Sequence, residues 1–194
     1  MFGLTRLLPA ACLLLVGWLF VRRFCKRRKI WLSLWSACLI VVALLSYFFP
    51  PERYFVTFSS IDTAYSYVSS GTVEATVSGH DSSFVLGKNN PSSYTGIIFP
   101  QKQDGWGFGS GATTKLVSYD VFEVGSVSVY NDPQSEDYYI FVTSLSQPSD
   151  VFDSERSVFY TVEGDMAYMY IAAVSAPDQN YALHVNKTLL HPFS

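Results

Sequence analysis

The chain has 194 residues, of which 49% are hydrophobic and 16% aromatic, and its net charge is −3 at pH 7. Seven of the thirteen basic residues precede residue 30, and all sixteen acidic residues follow residue 51. Residues 52–194 therefore carry about ten net negative charges, which repel polyanions and exclude a nucleic-acid-binding function.

Two apolar runs open the chain and flank a short basic loop. Residues 4–21 and 30–49 are predicted to form two transmembrane helices, because about 20 apolar residues span a hydrocarbon core of about 30 Å. The six cations within residues 22–29 favour the cytoplasmic face of a membrane. The sequence thus predicts a helical hairpin over residues 1–51, with the lipid bilayer as its partner. The predicted location is the cell membrane, as a multi-pass protein with residues 52–194 on the extracytoplasmic side.

The acidic residues 52–194 are predicted to form a mainly β domain, either an antiparallel sandwich or a curled sheet, with one short helix at its start. The helix begins at Ser59-Ser60-Ile61-Asp62, which resembles a capping box, and its apolar spacing continues to Gly71. Asp104-Gly105 is the strongest hairpin signal in the chain. A boundary near residues 109–113 would divide the domain into two packed halves.

The remaining apolar residues of the domain mostly recur with a period of two, which is typical of strands. Val73, Ala75 and Val77 are predicted to share one face of the first of these strands. The run from Met166 to Val174 is apolar on both faces, so we expect it to lie inside a sheet. Strands are predicted at 72–78, 83–87, 95–101, 106–109, 115–124, 126–131, 138–143, 157–162, 166–174 and 181–187.

The segment Phe58-Ser59-Ser60-Ile61-Asp62-Thr63-Ala64-Tyr65-Ser66-Tyr67 resembles the helix of a group of uncharacterised, membrane-attached exported proteins of Gram-positive bacteria. In that group the helix reads approximately F-x-[ST]-x-x-x-A-[FY]-x-Y, and a later hairpin ends in Gly-Trp, as Gly105-Trp106 does here. Tyr181-Ala182-Leu183-His184-Val185-Asn186 is similar to their closing strand. The resemblance implies a small, mostly β module outside the membrane, and it brings no catalytic residues.

The residues that most often carry catalysis show no recognisable arrangement, so we assign no catalytic residues. The three histidines, His80, His184 and His191, lack the spacing of metal ligands. His80 and Asp81 are not expected to pair, because neighbours on an extended chain point to opposite faces. His184 is expected at the surface, since it alternates with the apolar Leu183 and Val185.

Two acidic loops concentrate oxygen ligands of the kind that calcium prefers. Neither loop matches an EF-hand, and a solvated turn is the alternative interpretation of both. Calcium is accordingly the one cofactor that the sequence suggests. The candidate calcium ligands are Asp132, Glu136, Asp137, Asp150, Asp153 and Glu155.

The domain is rich in tyrosine, which supplies contact area at low entropic cost and is also a good strand former. The predicted function is that of a non-enzymatic, membrane-anchored module that binds an unknown envelope or membrane protein. Two alternatives stay open: an envelope-acting enzyme that uses Asp and Glu residues, and a structural subunit of a membrane complex. A binding module would expose an aromatic patch or a sheet edge, whereas an enzyme would have a deep cleft with convergent carboxylates. The tyrosines considered are Tyr65, Tyr67, Tyr94, Tyr119, Tyr130, Tyr138, Tyr139, Tyr160, Tyr168, Tyr170 and Tyr181.

Overall fold

A computed structural model describes most of the chain and divides it into two units, residues 1–55 and residues 56–194. In the first unit, helix α1 (Arg28–Phe48) has 21 residues, and the indole ring of Trp35 lies against Gly17. The described residues are 15–19, 23, 28–48, 56–90, 93–109, 114–133 and 135–193.

The membrane part of the prediction requires correction. Within the described ranges, none of the helices combines the length and the apolar character that crossing a membrane requires. The predicted hairpin of two transmembrane helices at 4–21 and 30–49, and with it the multi-pass membrane location, is therefore wrong. Residues 4–14, 20–21 and 49 of the two predicted spans lie outside the described residues. Helix α1 begins at Arg28, inside the predicted loop, so that two cations belong to its first turn.

The second unit is mainly β, as predicted, and its described part contains one helix, α2 (Ile61–Val68). Its strands are β1 (Thr57–Phe58), β2 (Thr72–Ser78), β3 (Ser82–Asn90), β4 (Ser93–Lys102), β5 (Gly105–Gly107), β6 (Lys115–Phe122), β7 (Gly125–Asn131), β8 (Asp137–Ser144), β9 (Val151–Asp153), β10 (Tyr160–Glu163), β11 (Tyr168–Ser175), β12 (Leu183–Val185) and β13 (Thr188–Leu190).

These strands form three antiparallel sheets. The first sheet has the order β1-β5-β4-β3-β2, the second β10-β11-β8-β7-β6, and the third β13-β12-β9. The chain passes from the first sheet to the second between Gly107 and Lys115. Residues 110–113 of the predicted boundary at 109–113 lie outside the described residues. Both sheets belong to one unit, so a division into two halves stays a prediction.

The second sheet is covered on both faces. Phe84 and Ile98 of the first sheet pack against Tyr139 and Ile171 on one face. On the other face, Val129, Ile140 and Val142 pack against Leu183 and Val185 of the third sheet. This double burial explains why β8 and β11 are apolar at both odd and even positions. Strand β11 lies between β10 and β8, inside the sheet as its composition predicts.

Helix α2 covers the outer face of the first sheet. Ser60 caps its N-terminus by accepting a hydrogen bond from the backbone N–H of Thr63 at 3.2 Å. The cap is thus one residue later than the Ser59 that the capping-box pattern predicted. Ala64 and Tyr65 are buried under the helix, and a Cβ added to Gly87 would collide with the Tyr65 ring. Gly87 therefore provides the close approach between helix and sheet.

One local prediction fails because a bulge changes the register of β2. Val73 pairs with Gly87 and Ala75 pairs with Leu86, so a bulge at Glu74 separates them. Paired residues share a face, and Val73 therefore points away from Ala75 and Val77. The hairpin predicted at Asp104-Gly105 is formed by β4 and β5; Lys102 pairs with Gly105, so the two turn residues are Gln103 and Asp104.

Candidate functional site

The most distinctive surface of the second unit is the free edge formed by strand β6. The strand pairs with β7 on one side, and within the described chain no strand pairs with its other side. An unpaired edge presents backbone N–H and C=O groups that can bind another extended chain. We call Lys115–Phe122 the β6 edge.

Four apolar side chains of the β6 edge are exposed to solvent. Their exposed fractions are 50% for Leu116, 42% for Val117, 57% for Tyr119 and 70% for Val121. Elsewhere in the described second unit, the exposed large apolar residues occur singly or, at Val158 and Tyr160, as a pair. Phe122 is buried in the core beneath the third sheet, so it anchors the end of the strand.

The register with β7 assigns the side chains of the β6 edge to two faces. Leu116 pairs with Tyr130, while Ser118 pairs with Val129, so Val117 is an extra, bulged residue. Tyr130 and Val129 are consecutive and point to opposite faces. Leu116, Tyr119 and Val121 consequently share the face that is directed toward the first sheet, and Ser118 and Asp120 lie on the other.

Asp120 is the acidic residue at the centre of this edge. It is half-buried, and among the described residues it has neither an ion pair nor a side-chain hydrogen bond. Glu123 follows in the turn to β7, and Lys115 lies at the other end of the strand. The edge thus combines a row of exposed apolar side chains with an aspartate that has no cationic partner.

The six candidate calcium ligands are distributed over separate parts of the second unit. Asp137 accepts hydrogen bonds from the backbone N–H groups of His80 at 2.9 Å and Asp81 at 2.7 Å. The hydroxyls of Ser82 and Ser175 donate to it at 3.0 Å and 3.2 Å. Each carboxylate oxygen of Asp137 therefore accepts two bonds, and the residue joins the β2–β3 turn to the second sheet. These donors occupy the lone pairs that a metal ion would need.

The carboxylate oxygens of Asp153 also accept hydrogen bonds from the chain. Its carboxylate accepts from the Tyr181 hydroxyl at 2.6 Å and from the backbone N–H of Ser157 at 2.8 Å. Burial, together with the Asp153 carboxylate, raises the pKa of Tyr181 above its ordinary value. Burial and the nearby carboxylates of Asp153 and Asp178 raise the pKa of Glu155.

The other candidate ligands do not complete a metal site. Asp132 is buried and Glu136 exposed in the loop between β7 and β8, whereas Asp150 is exposed and accepts a bond of 3.1 Å from Ser149. In the part of the chain that is described, no three His, Cys, Asp or Glu side chains converge as metal ligands. Calcium binding stays a prediction, without support from this geometry.

His80 and Asp81 form a pair, although they were not expected to do so. The Nδ1 atom of His80 lies 2.8 Å from a carboxylate oxygen of Asp81, and both side chains are largely exposed. The prediction assumed extended chain, but these residues belong to a tight turn in which Gly79 donates to the Ser82 carbonyl at 2.9 Å. The nearby Ser82 hydroxyl is bound to Asp137 and shares a hydrogen bond of 2.9 Å with Tyr139. The Ser82 hydroxyl is thus part of a buried hydrogen-bond network and is not placed to act as a nucleophile.

The tyrosines do not form one exposed cluster among the described residues. Tyr67, Tyr119 and Tyr160 are the exposed ones, and they lie on α2, β6 and β10, respectively. Strands β6 and β10 are the opposite edges of the second sheet. His184 also differs from expectation, since it is half-buried and stacks on Phe152 with a centroid separation of 4.6 Å.

The β6 edge was missed as a site because strand order cannot be read from local sequence. Residues 115–124 were predicted as a strand without a position in the sheet. The available signal was compositional: Ser118 and Asp120 interrupt β6 with polar residues, whereas the inner strand β11 is apolar on both faces. Polar interruption on one face is typical of a strand at an edge.

Comparison with known proteins does not add a relative. No protein-family model matches the chain, and neither a curated protein nor a solved structure shows significant similarity to it. The resemblance to exported proteins of Gram-positive bacteria therefore stays a prediction.

Proposed function

We propose that residues 56–194 act as a non-enzymatic protein-binding module, and that the β6 edge is the surface that receives the partner. The single observation that supports this function is the free edge with its four exposed apolar side chains. Strand addition to such an edge provides affinity through backbone hydrogen bonds and specificity through alternate side chains.

The state of the buried acids favours binding over the enzyme alternative. A hydrolase that uses paired carboxylates needs at least one carboxyl group that faces the substrate. Asp137 instead accepts four hydrogen bonds from its own chain, and Asp153 accepts two. They consolidate the fold, which leaves the exposed edge as the surface for interaction.

Site-specific photo-crosslinking in the cells that produce the protein tests this proposal. Tyr119 and Tyr160 form a matched pair, because both are exposed tyrosines on opposite edge strands of the same sheet. A photoreactive phenylalanine analogue at position 119 should give discrete adducts with a partner, and the same analogue at position 160 should not. Adducts of equal yield at both positions, or none at position 119, would overturn the proposal.

A further inference from the structure

The shape and charge of the β6 edge also define the chemistry of its partner, and this step rests on the proposed function. We infer that the partner is a protein segment in extended conformation, in which apolar residues alternate with Lys or Arg. It adds to β6 as a further strand of the second sheet, with a cation beside Asp120.

The distribution of side chains over the two faces of β6 determines that apolar and cationic residues alternate in the partner segment. Leu116, Tyr119 and Val121 offer an apolar row on one face. Side chains of an added strand point alternately to the two faces, so every second residue meets this row. The intervening residues lie on the face of Ser118 and Asp120. An alternating apolar and cationic segment satisfies both faces in the same register.

Charge complementarity selects a cation over an anion or a neutral side chain. Asp120 has no cationic partner among the described residues, and the second unit contains fifteen acidic residues against five basic ones. An acidic surface accelerates the association of a basic segment and disfavours an acidic one. Opposite charges across neighbouring strands also stabilise the pairing directly.

The same features disfavour a second copy of this chain as the occupant. An antiparallel pair of β6 edges centred on the regular part of the strand, residues 118–122, would place Asp120 opposite its own counterpart. The bulge at Val117 interrupts the remainder of the edge, and bulges and edge charges are devices that prevent self-pairing. The strong net negative charge of both copies would add to the repulsion.

The test uses the full-length chain and two labelled, end-blocked nine-residue peptides. One peptide alternates Val with Lys, and the other alternates Val with Glu; binding is followed by fluorescence anisotropy. The Val-Lys peptide should bind about tenfold more tightly than the Val-Glu peptide, as expected when the residue beside Asp120 changes from a cation to an anion on an acidic surface. The preference should decrease as salt is added, because the charges are exposed.

Charge reversal locates the binding site. Asp120→Lys should abolish or reverse the preference for the Val-Lys peptide. Glu163→Lys is the matched control, because Glu163 is exposed on β10 at the opposite edge of the same sheet and the net charge changes equally. Val121→Ser should weaken both peptides, whereas Leu145→Ser should not, since Leu145 is exposed by 75% outside the strand. Circular dichroism confirms that each variant is folded.

The outcomes separate this inference from the proposed function. Crosslinks at position 119 would show that the edge binds a partner. If the two peptides nevertheless bind equally, or if Asp120→Lys and Glu163→Lys have the same effect, the inference that the partner is basic is overturned. If the crosslinked adduct is a second copy of the chain, the basic partner is overturned as well. Loss of crosslinks at position 119, together with failure of both peptides to bind, overturns both the inference and the proposed function.

Discussion

Asp137 and Asp120 lie in the same sheet, and their surroundings give them opposite roles. Asp137 is buried at the start of β8 and accepts four hydrogen bonds. Asp120 is half-buried on the edge strand, and no partner within the described residues contacts its carboxylate by hydrogen bond or ion pair. A saturated carboxylate contributes to folding, and an unsatisfied one at an edge is available for binding. The same residue type therefore gives a structural contact in one place and a recognition feature in the other.

Removal of the Asp137 carboxylate should produce the largest loss of stability. Asp137→Ala leaves two backbone N–H groups and two hydroxyls at the β2–β3 turn without their acceptor, which should cost about 3 kcal/mol. Urea unfolding of the full chain, followed by near-ultraviolet circular dichroism, measures the change. Asp137→Asn keeps one acceptor oxygen and should show an intermediate loss. A cost below about 1 kcal/mol would mean that the network does not hold the turn.

A second structural carboxylate, Asp153, should depend on its tyrosine donor. Tyr181→Phe removes the 2.6 Å hydrogen bond to buried Asp153 and should cost about 2 kcal/mol, because a charged acceptor loses a donor. Tyr65→Phe is the matched control: the Tyr65 hydroxyl is buried and has no hydrogen-bond partner in the described structure. Its removal should leave the free energy of unfolding unchanged or raise it. Equal losses in both variants would show that ring packing dominates over the hydrogen bond.

Alkaline pH should weaken the fold through the two buried tyrosines of the second unit's networks. Burial raises the pKa of Tyr139 and of Tyr181 above the ordinary value, so the folded state keeps protons that the unfolded chain loses above a pH of about 10. Stability is thus complete below that pH and decreases above it, by about 1.4 kcal/mol per pH unit for each group. Urea unfolding between pH 7 and pH 11 measures this dependence, and Tyr181→Phe should reduce the slope above a pH of about 10 by about 1.4 kcal/mol per pH unit. An unchanged slope in that variant would contradict the assignment.

The difference between the two aspartates also shows which features of the fold can be predicted from the sequence and which cannot. Helix α2, and most strands of the second unit, follow from local periodicity, because Ser60 and the alternating apolar residues act on their own neighbours. Strand order and bulges depend on contacts distant in sequence. The sequence therefore predicted β6 but not its edge position, and it placed Val73 on the wrong face because the bulge at Glu74 is not visible locally.

The candidate site was harder to predict than the fold for the same reason. Asp132, Asp137 and Asp153 attracted attention because acids stand close together in their loops, yet the fold supplies distant donors, such as Ser175 for Asp137 and Tyr181 for Asp153. Asp120 drew no attention, because its significance arises from the absence of a neighbouring strand. The density of acidic residues in the sequence thus pointed to structural carboxylates and not to Asp120, the carboxylate of the candidate site.

Neutralisation of Asp120 should have the smallest effect on stability and a measurable effect on binding. Asp120→Asn removes a charge that makes no ion pair within the described chain, so the free energy of unfolding should change by less than about 0.5 kcal/mol. The affinity for the Val-Lys peptide should nevertheless fall by about threefold, because the cross-strand attraction is lost. Parallel urea and anisotropy titrations measure the two effects on one preparation. A large loss of stability would show that Asp120, like Asp137, is a structural residue, and the contrast between the two carboxylates would then disappear.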